Sequence, residues 1–303
     1  MMRQPVMSRV SDTGPVDRAV IVGINAYPVR TSGPLKDFTP LDGCVNDARA
    51  IADFVVRKRG FNRSQVRLLT DAAATRKAMV AALRWLVKGA RPGDRLLFYY
   101  SGHGTPFPMP GPHAHRHKLH DAICPVDFDW TGPRLITDLD FEQIFEPLPE
   151  GVEFLWICDS CFSGGLARDF RTARALGRGI RTVALHHTVV KALRAARARR
   201  RGKPAGLRRV VHRLNGALIA AATVEEYSWD WAFGRPKRSH GVLTHYLLKA
   251  LNAPGGRTAP LDEVVARVAR TIRKSTAEYR TQHPEAMGAP AVLARPFLAR
   301  PSR

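Results

Sequence analysis

The chain has 303 residues, of which 45% are hydrophobic and 24% charged, a balance typical of a globular protein with a sizeable core. It has no run of about 18 apolar residues and no apolar stretch near its start, which predicts no membrane span, no signal peptide and a cytoplasmic location. Four cysteines do not make a disulfide framework at this length, so free thiols are expected. Residues 1–17 are predicted to be a disordered tail.

From residue 18 onward, short apolar runs alternate with stretches of helical period, which is typical of an α/β domain with a mainly parallel sheet of about six strands. Asn46 or Asp47 is expected to cap the first helix. Residues 105–120, rich in Pro, Gly and His, are predicted to be a loop. In chain order, the predicted elements are strand 18–24, helix 46–58, strand 66–70, helix 75–88, strand 96–100, strand 122–126, helix 138–145, strand 153–158, strand 217–222, helix 241–251 and helix 261–279.

Two of the predicted strands end in reactive side chains, LLFYYSGHG in His103 and FLWICDSCFSG in Cys161. If the strands are neighbours they lie roughly 5 Å apart, so both side chains face one crevice. An imidazole near a thiol is suited to generate the thiolate nucleophile. The backbone N–H groups of Gly104 and Cys161 are candidates for holding an oxyanion. This pattern alone does not identify the reaction.

The motifs SGHG at 101–104 and DSCFSG at 159–164 resemble the two active-site motifs of the metacaspases, a family of caspase-like peptidases. Further matching stretches in the same order are RAVIVGINAYP, LDGCVNDARAIADFV, ICPVDF, PLPEGVEFLWICDSC, HGVLTHYLLKAL and TQHPEA. The resemblance implies a caspase-like three-layer α/β/α peptidase domain over 18–299. It divides this domain into a large-subunit-like region (18–167), an insertion or linker (168–213) and a small-subunit-like region (214–299).

The resemblance also implies roles for individual residues. It makes His103 the general base and Cys161 the nucleophile. The pocket for the substrate residue preceding the cut is implied to contain Asp47, Ser101 and Asp159, with Cys44 at its wall. Metacaspases favour Arg or Lys as the substrate residue preceding the cut. Electrostatics supports this preference, because two carboxylates in one pocket repel each other unless a cation lies between them. Metacaspases also resemble one another in acting as monomers.

Calcium activates many metacaspases through several carboxylates, and this chain departs from that pattern. HAHRHKLHD replaces the acidic loop and leaves Asp121. The paired acids expected near residue 138 read Thr137-Asp138-Leu139, with Asp140 beyond, and Arg168 precedes a single Asp169 beyond the nucleophile. Because calcium needs six to eight oxygen ligands, no cofactor and a calcium-independent enzyme are predicted. The loop that replaces the acids contains His113, His115, His117 and His120. These histidines could form a metal site, but a polar flap over the active site is the favoured interpretation.

The net charge of +22 is concentrated in residues 168–213, the Arg-rich segment, which holds 15 Lys or Arg and one acid. One interpretation is a solvated insertion docked by an apolar stripe, and a second is a linker that an Arg-directed active site cuts. Binding of nucleic acid or an acidic partner is a third, which the lack of an adjacent aromatic platform disfavours. A membrane partner is not expected.

Three functions remain open at this point. The first is a cysteine endopeptidase that cleaves after Arg or Lys and processes itself within 168–213. The second is a catalytically dispensable caspase-fold adaptor whose basic segment recruits a partner. The third is a related peptidase with another side-chain preference. Because a scaffold has no chemical need of both His103 and Cys161, the endopeptidase is favoured.

Overall fold

The computed structural model describes residues 14–28, 40–108, 119–129, 134–160, 181, 216–223 and 226–300. Its strands are β1 (Asp17–Gly23), β2 (Val66–Thr70), β3 (Arg95–Ser101), β4 (Gly104–Pro108), β5 (Leu119–Ile123), β6 (Ile136–Thr137), β7 (Glu153–Asp159), β8 (Ala217–Ala220), β9 (Asp230–Phe233), β10 (Arg238–Gly241) and β11 (Glu285–Gly288). Its helices are α1 (Cys44–Arg59), α2 (Arg76–Val87), α3 (Asp138–Phe145), α4 (Val242–Asn252), α5 (Leu261–Arg273) and α6 (Pro290–Leu293).

The central sheet has six strands in the order β11-β8-β7-β3-β1-β2. All neighbours pair in parallel except β11, which runs antiparallel to β8 at the edge. The three middle strands are buried almost throughout, as expected of parallel strands covered on both faces. The predicted mainly parallel sheet of about six strands is therefore confirmed.

Helices cover both faces of this sheet. On one face α2 and α3 pack through Leu83 and Phe141 against alternate residues of the middle strands, such as Phe98. On the other face α1, α4 and α5 pack against the intervening residues, such as Leu97. Because successive side chains of each strand point to opposite faces of the sheet, each strand contributes to both hydrophobic cores. The result is the predicted three-layer α/β/α arrangement.

Helix α1 begins before residue 46, where the sequence predicts its start. It starts at Cys44 with Gly43 as N-cap, so Asn46 and Asp47 lie within its first turn, and the prediction that one of them caps it is wrong. Instead, Oδ1 of Asn25 accepts hydrogen bonds from the backbone N–H groups of Cys44 (2.8 Å) and Val45 (3.3 Å). The carboxylate of Asp47 is thereby left for other partners.

Three further predictions of local structure are corrected. The predicted loop 105–120 contains most of β4 and the start of β5, which pair antiparallel in a small sheet with β6. The strand predicted over 122–126 ends at Ile123, and the last long helix ends at Arg273 rather than at 279. The β9–β10 hairpin and β11 were not predicted. No helix in the described ranges is long and apolar enough to cross a membrane.

Candidate active site

The carboxyl ends of β3 and β7 bring two of the expected pocket residues together. Ser101 ends β3 and lies opposite Asp159 at the end of β7 in the strand register. The first turn of α1 adds Cys44 and Asp47 beside them, and all four side chains are fully buried. The hydroxyl of Ser101 donates to Asp47 over 3.1 Å. The structure thus brings together the four residues expected to form the pocket.

His103 follows β3 by two residues and is buried. Its backbone N–H donates to the hydroxyl of Tyr27 (3.0 Å), and its carbonyl accepts from the hydroxyl of Tyr100 (2.6 Å). The rings of Tyr27 and His103 lie 4.7 Å apart. A Cβ on Gly102 would lie 2.6 Å from both tyrosine hydroxyls, so only glycine at this position permits the two hydrogen bonds to the backbone of His103. The backbone of His103 is therefore held firmly at the sheet's end.

Cys161 lies outside the described residues, although the chain is described up to Ser160, the residue before it. The pairing of Cys161 with His103 and the part of its N–H in an oxyanion hole therefore stay predictions. So does the interpretation of 168–213 as an insertion or linker, since only Arg181 of that segment is described.

Arg181, from the Arg-rich segment, occupies the pocket. Its guanidinium is fully buried, and its Nη2 donates to Oδ2 of Asp47 over 2.7 Å. Its Nη1 donates to the hydroxyl of Ser101 (2.6 Å) and the carbonyl of Asp159 (3.0 Å), and lies 3.2 Å from Oδ1 of Asp159. Its Nε donates to Oδ1 of Asp230 over 3.0 Å, and its Nη2 also bonds that oxygen. Three carboxylates therefore surround one guanidinium.

The backbone of Arg181 is also bound. Its carbonyl accepts from the N–H of Gly104 over 3.3 Å, and its own N–H donates to the carbonyl of Ser228 over 3.1 Å. A Cβ on Gly241 would lie 2.6 Å from the guanidinium carbon of Arg181, so the pocket accepts the guanidinium only because this wall has no side chain. Side chain and main chain are thus held at once.

The carboxylates of the pocket differ electrostatically. Burial raises the pKa of Asp159, although the charge of Arg181 and the hydrogen bonds from Thr244 and Ser228 oppose this. Burial acts in the same direction on Asp230, but Arg181 and the amides of the loop before α1 outweigh it and lower the pKa of that carboxyl. Burial also raises the pKa of the Cys44 thiol well above its usual value, so this wall is neutral. The guanidinium of Arg181 therefore lies between a carboxyl whose pKa is lowered, Asp230, and one whose pKa stays raised, Asp159.

Sequence reasoning missed Asp230 and did not single out Arg181. Asp230 begins β9 and its Oδ2 accepts from the N–H groups of Asp42 and Gly43, both at 2.9 Å. It thereby ties the hairpin to the start of α1. Thr244, Ser228 and His240, which hold Asp159 or Asp47, were also missed. The only signal was the stretch HGVLTHYLLKAL, which contains two of these three residues.

His245 lies behind the pocket on α4, with its ring stacked on Phe233 at 3.7 Å. Burial lowers the pKa of its imidazole from 6.5 to about 4, helped by the charges of His240 and Lys249 and opposed by Asp47. Because the folded-state pKa lies below the unfolded value, the unfolded chain takes up the proton first. Stability is therefore lost as the pH falls from about 6.5 to about 4.

Replacing His245 by glutamine is expected to remove about 1–3 kcal/mol of the stability lost between pH 7 and pH 4, since no imidazole remains to be protonated on unfolding and solvent screens part of the effect at this half-buried side chain. Urea denaturation at both pH values measures this difference. His283→Gln is the control, because that imidazole is 41% exposed and pairs with Glu226. An unchanged acid loss in His245→Gln would contradict the assignment.

Comparison with known proteins identifies the family. The family model described as "Metacaspase, peptidase C14 domain" matches residues 17–168, half of the chain, including the strand ends that carry His103 and Asp159. The chain belongs to the metacaspase family. This family is one of cysteine-type peptidases, and membership agrees with the α/β/α fold.

Individual metacaspases match over part of their length. Metacaspase-9 of Arabidopsis thaliana is 40% identical over 155 residues, which are 49% of this chain and 43% of that protein. Metacaspase-1 of Mycosarcoma maydis is 33% identical over 190 residues, 56% of this chain and 44% of that protein. The match thus spans less than half of each relative.

A solved structure supports the fold. Protein GSU0716 from Geobacter sulfurreducens has a TM-score of 0.64, and the similarity covers 95% of this chain and 100% of that one. Because the two sequences are only 23% identical, this similarity shows the fold alone.

Of the acids considered for calcium binding in this metacaspase, Asp140 has protein partners instead. Asp140 accepts from the N–H (2.8 Å) and hydroxyl (2.9 Å) of Thr137, the N-cap of α3, and pairs with Arg76 at 2.7 Å, so it completes the capping box of that helix. Within the described ranges, no group of three or more His, Cys, Asp or Glu side chains is arranged to hold a metal. His113, His115, His117 and Asp169 lie outside these ranges. The described residues therefore do not fit calcium, and calcium independence stays a prediction.

Proposed function

We propose that the chain is a cysteine endopeptidase that cleaves peptide bonds after Arg or Lys. The observation that carries this proposal is the buried pocket of Asp47, Asp159 and Asp230, which holds a guanidinium. An anionic substrate side chain would meet three carboxylates there, whereas Arg or Lys neutralises part of their charge. Arg is favoured over Lys because its planar guanidinium meets several acceptors at once, as Arg181 does.

The proposed reaction proceeds through a covalent intermediate. The thiolate of Cys161, generated with His103 as base, attacks the carbonyl carbon of the substrate's Arg or Lys. The N–H of Gly104, which reaches the carbonyl oxygen of Arg181 at 3.3 Å, stabilises the developing oxyanion together with the N–H of Cys161. His103 then protonates the leaving amine, and water hydrolyses the thioester and restores the thiol.

The substrates are proposed to be proteins or peptides with Arg or Lys before the cut, and the Arg-rich segment is proposed to be among them. The chain is proposed to act as a monomer in the cytoplasm, with neither nucleic acid nor membrane as partner. These statements rest on the resemblance to metacaspases and on the pocket's charge.

Fluorogenic peptides carrying Arg, Lys or Asp before the leaving group test the proposal. The Arg and Lys peptides are expected to be cleaved, Arg faster, and the Asp peptide left intact, since an Asp side chain would be a further anion among three carboxylates. Cys161→Ala is the control for contaminating peptidases. Cleavage of the Asp peptide alone would indicate another side-chain preference. Cleavage of none, by the wild type and by Arg181→Gln alike, would refute the peptidase and leave the adaptor.

A further inference from the structure

We propose that the groove between α2 and α3, here called the α2–α3 groove, is a second substrate-binding site. It takes an acidic, partly apolar segment of a protein substrate, while the pocket of three carboxylates takes the basic residue before the cut. Cleavage of such a substrate rests on the proposed function, whereas binding of its acidic segment does not.

The α2–α3 groove is continuous and long enough for a peptide segment. Its larger part, of about 740 Å³, lies between the second half of α2 and the end of α3, and its smaller part, of about 580 Å³, lies along the first half of α2. Ala81 and Arg84 line both parts, which makes them one groove. From Lys77 to Lys88 the helix rises about 16 Å, a length that about five residues of extended chain span.

The floor of the α2–α3 groove is apolar. Val80, Trp85 and Val87 are partly buried against the core of this face, and their remaining surface lines the groove. The guanidinium carbon of Arg67 lies 4.0 Å from the centre of the Trp85 ring, so this ring is already covered on one side and is a poor platform for a nucleic-acid base. An apolar floor suits the aliphatic or aromatic side chains of a peptide instead.

The rim of the α2–α3 groove is basic. Lys77, Arg84 and Lys88 recur at the helical period, all three are exposed, and none forms an ion pair with an acid in the described part of the chain. Among the described residues, no acid lines the larger part of the groove. Asp127, which lines the smaller part, accepts from the backbone N–H of Arg76 over 2.8 Å. The groove therefore offers three unpaired cations above an apolar floor.

The positions of these cations oppose the stability of α2. The helix contains no acidic residue, so Arg84 and Lys88, four residues apart, repel each other without compensation. Lys77 lies in the first turn, where the helix dipole favours an acid. Its neighbour Arg76 is paired with Asp140 at 2.7 Å, but Lys77 is not. Charges that weaken their own helix are expected at a functional surface, and an anionic partner would offset them.

The groove begins close to the predicted catalytic residues. The N–H of Cys124 donates to the carbonyl of His103 over 3.0 Å, and Asp127, three residues later, bonds the first turn of α2. Three residues span at most about 10 Å, so this end of the groove lies at the same edge of the sheet as His103. A substrate cut beside His103 therefore needs only a short connection to lay an acidic segment in the groove.

Fluorescence anisotropy tests the groove without catalysis. The probe is a labelled peptide in which single Leu residues separate pairs of Glu, and its control has Gln in place of Glu. The Glu peptide is expected to bind Cys161→Ala and the Gln peptide to bind far more weakly. Adding Arg84→Gln/Lys88→Gln is expected to weaken binding of the Glu peptide about 3- to 30-fold, as two exposed ion pairs would.

Matched variants separate the groove from net charge. Arg57→Gln/Lys58→Gln removes the same charge from exposed residues at the end of α1, on the opposite face of the sheet, and is expected to change the affinity less than about twofold. Ala81→Glu places an anion on the exposed centre of the groove and is expected to weaken binding, whereas Ala81→Gln, of the same size without the charge, should bind more tightly than Ala81→Glu.

Steady-state kinetics of the intact enzyme tests the link to cleavage. The fluorogenic Arg peptide is extended through a Gly/Ser linker by the Glu segment, at one end or the other, and compared with the Gln extension. At least one Glu-extended peptide is expected to have a KM about fivefold lower at unchanged kcat, because the added contacts are the same in the bound substrate and the transition state. Arg84→Gln/Lys88→Gln is expected to remove this difference.

Each result decides. Equal losses of affinity in the groove variant and in Arg57→Gln/Lys58→Gln, or no loss in either, would overturn the groove as the site. Loss of binding of a single-stranded oligonucleotide but not of the Glu peptide in the groove variant would overturn it in favour of nucleic acid. Binding without any change of KM would overturn the role in substrate recognition.

Failure of this site and failure of the proposed function are distinguishable. A chain that cleaves the Arg peptide but does not bind the Glu peptide would overturn the groove and leave the peptidase intact. A chain that binds the Glu peptide through Arg84 and Lys88 but cleaves no Arg peptide would refute the peptidase and leave a binding site for acidic proteins.

Discussion

Replacing His103 by alanine is expected to lower kcat/KM for an Arg-containing peptide by about 10²- to 10⁴-fold, the usual contribution of a general acid–base group. In the proposed mechanism, the thiol of Cys161 then loses its base and the leaving amine loses its proton donor. The loss should fall on kcat more than on KM, because the pocket of Asp47, Asp159 and Asp230 does not contain His103. Steady-state kinetics over a range of substrate concentrations separates the two constants.

The control for this variant is His283→Ala, which removes a half-exposed imidazole paired with Glu226. It should retain the activity of the wild type. Because the backbone of His103 is clamped by Tyr27 and Tyr100, His103→Ala is expected to stay folded, which circular dichroism checks. A folded His103→Ala chain whose kcat lies within threefold of the wild type would show that another group is the base.

The parallel sheet was predictable from sequence because its signal is local. The run around Val20 and that around Trp156 consist of apolar residues, and a strand covered on both faces needs such a run. The positions of Ser101 and Asp159 at adjacent strand ends follow from the same pattern once the strands are neighbours. Cys44 and Asp47 lie beside these strand ends, while the part of all four residues in a substrate pocket stays a prediction.

The other wall of the pocket depends on contacts between distant parts of the chain. Asp230 binds the N–H of Asp42, 188 residues earlier, and the β9 strand that carries it has mixed burial and no regular alternation. Arg181 is one of 15 basic residues in its segment, and composition cannot single out the one that folds into the site. The pairing of β4 with β5 was not predicted because Pro106 and Pro108 in β4 are typical of loops.

Asp230→Asn is expected to lower kcat/KM for an Arg peptide by about 10²- to 10³-fold, because losing one partner of a buried charge pair costs about 2–5 kcal/mol. The two oxygens of Asp230 have separate tasks. Oδ2 accepts the N–H groups of Asp42 and Gly43, and Oδ1 accepts from the guanidinium. The single oxygen of asparagine can keep the loop contacts, which turns its NH₂ toward the guanidinium, where two donors would face each other.

This division of tasks makes the effect of Asp230→Asn specific to charge. Kinetics with an Arg peptide and a citrulline peptide, which keeps the shape without the cation, should show that the preference for Arg falls while the neutral peptide changes little. Asp262→Asn, at an exposed acid in the first turn of α5, is the matched control. If both peptides lose activity equally, Asp230 supports the fold of the site only. If neither does, Asp47 and Asp159 alone select the substrate, and the third carboxylate serves to hold Arg181.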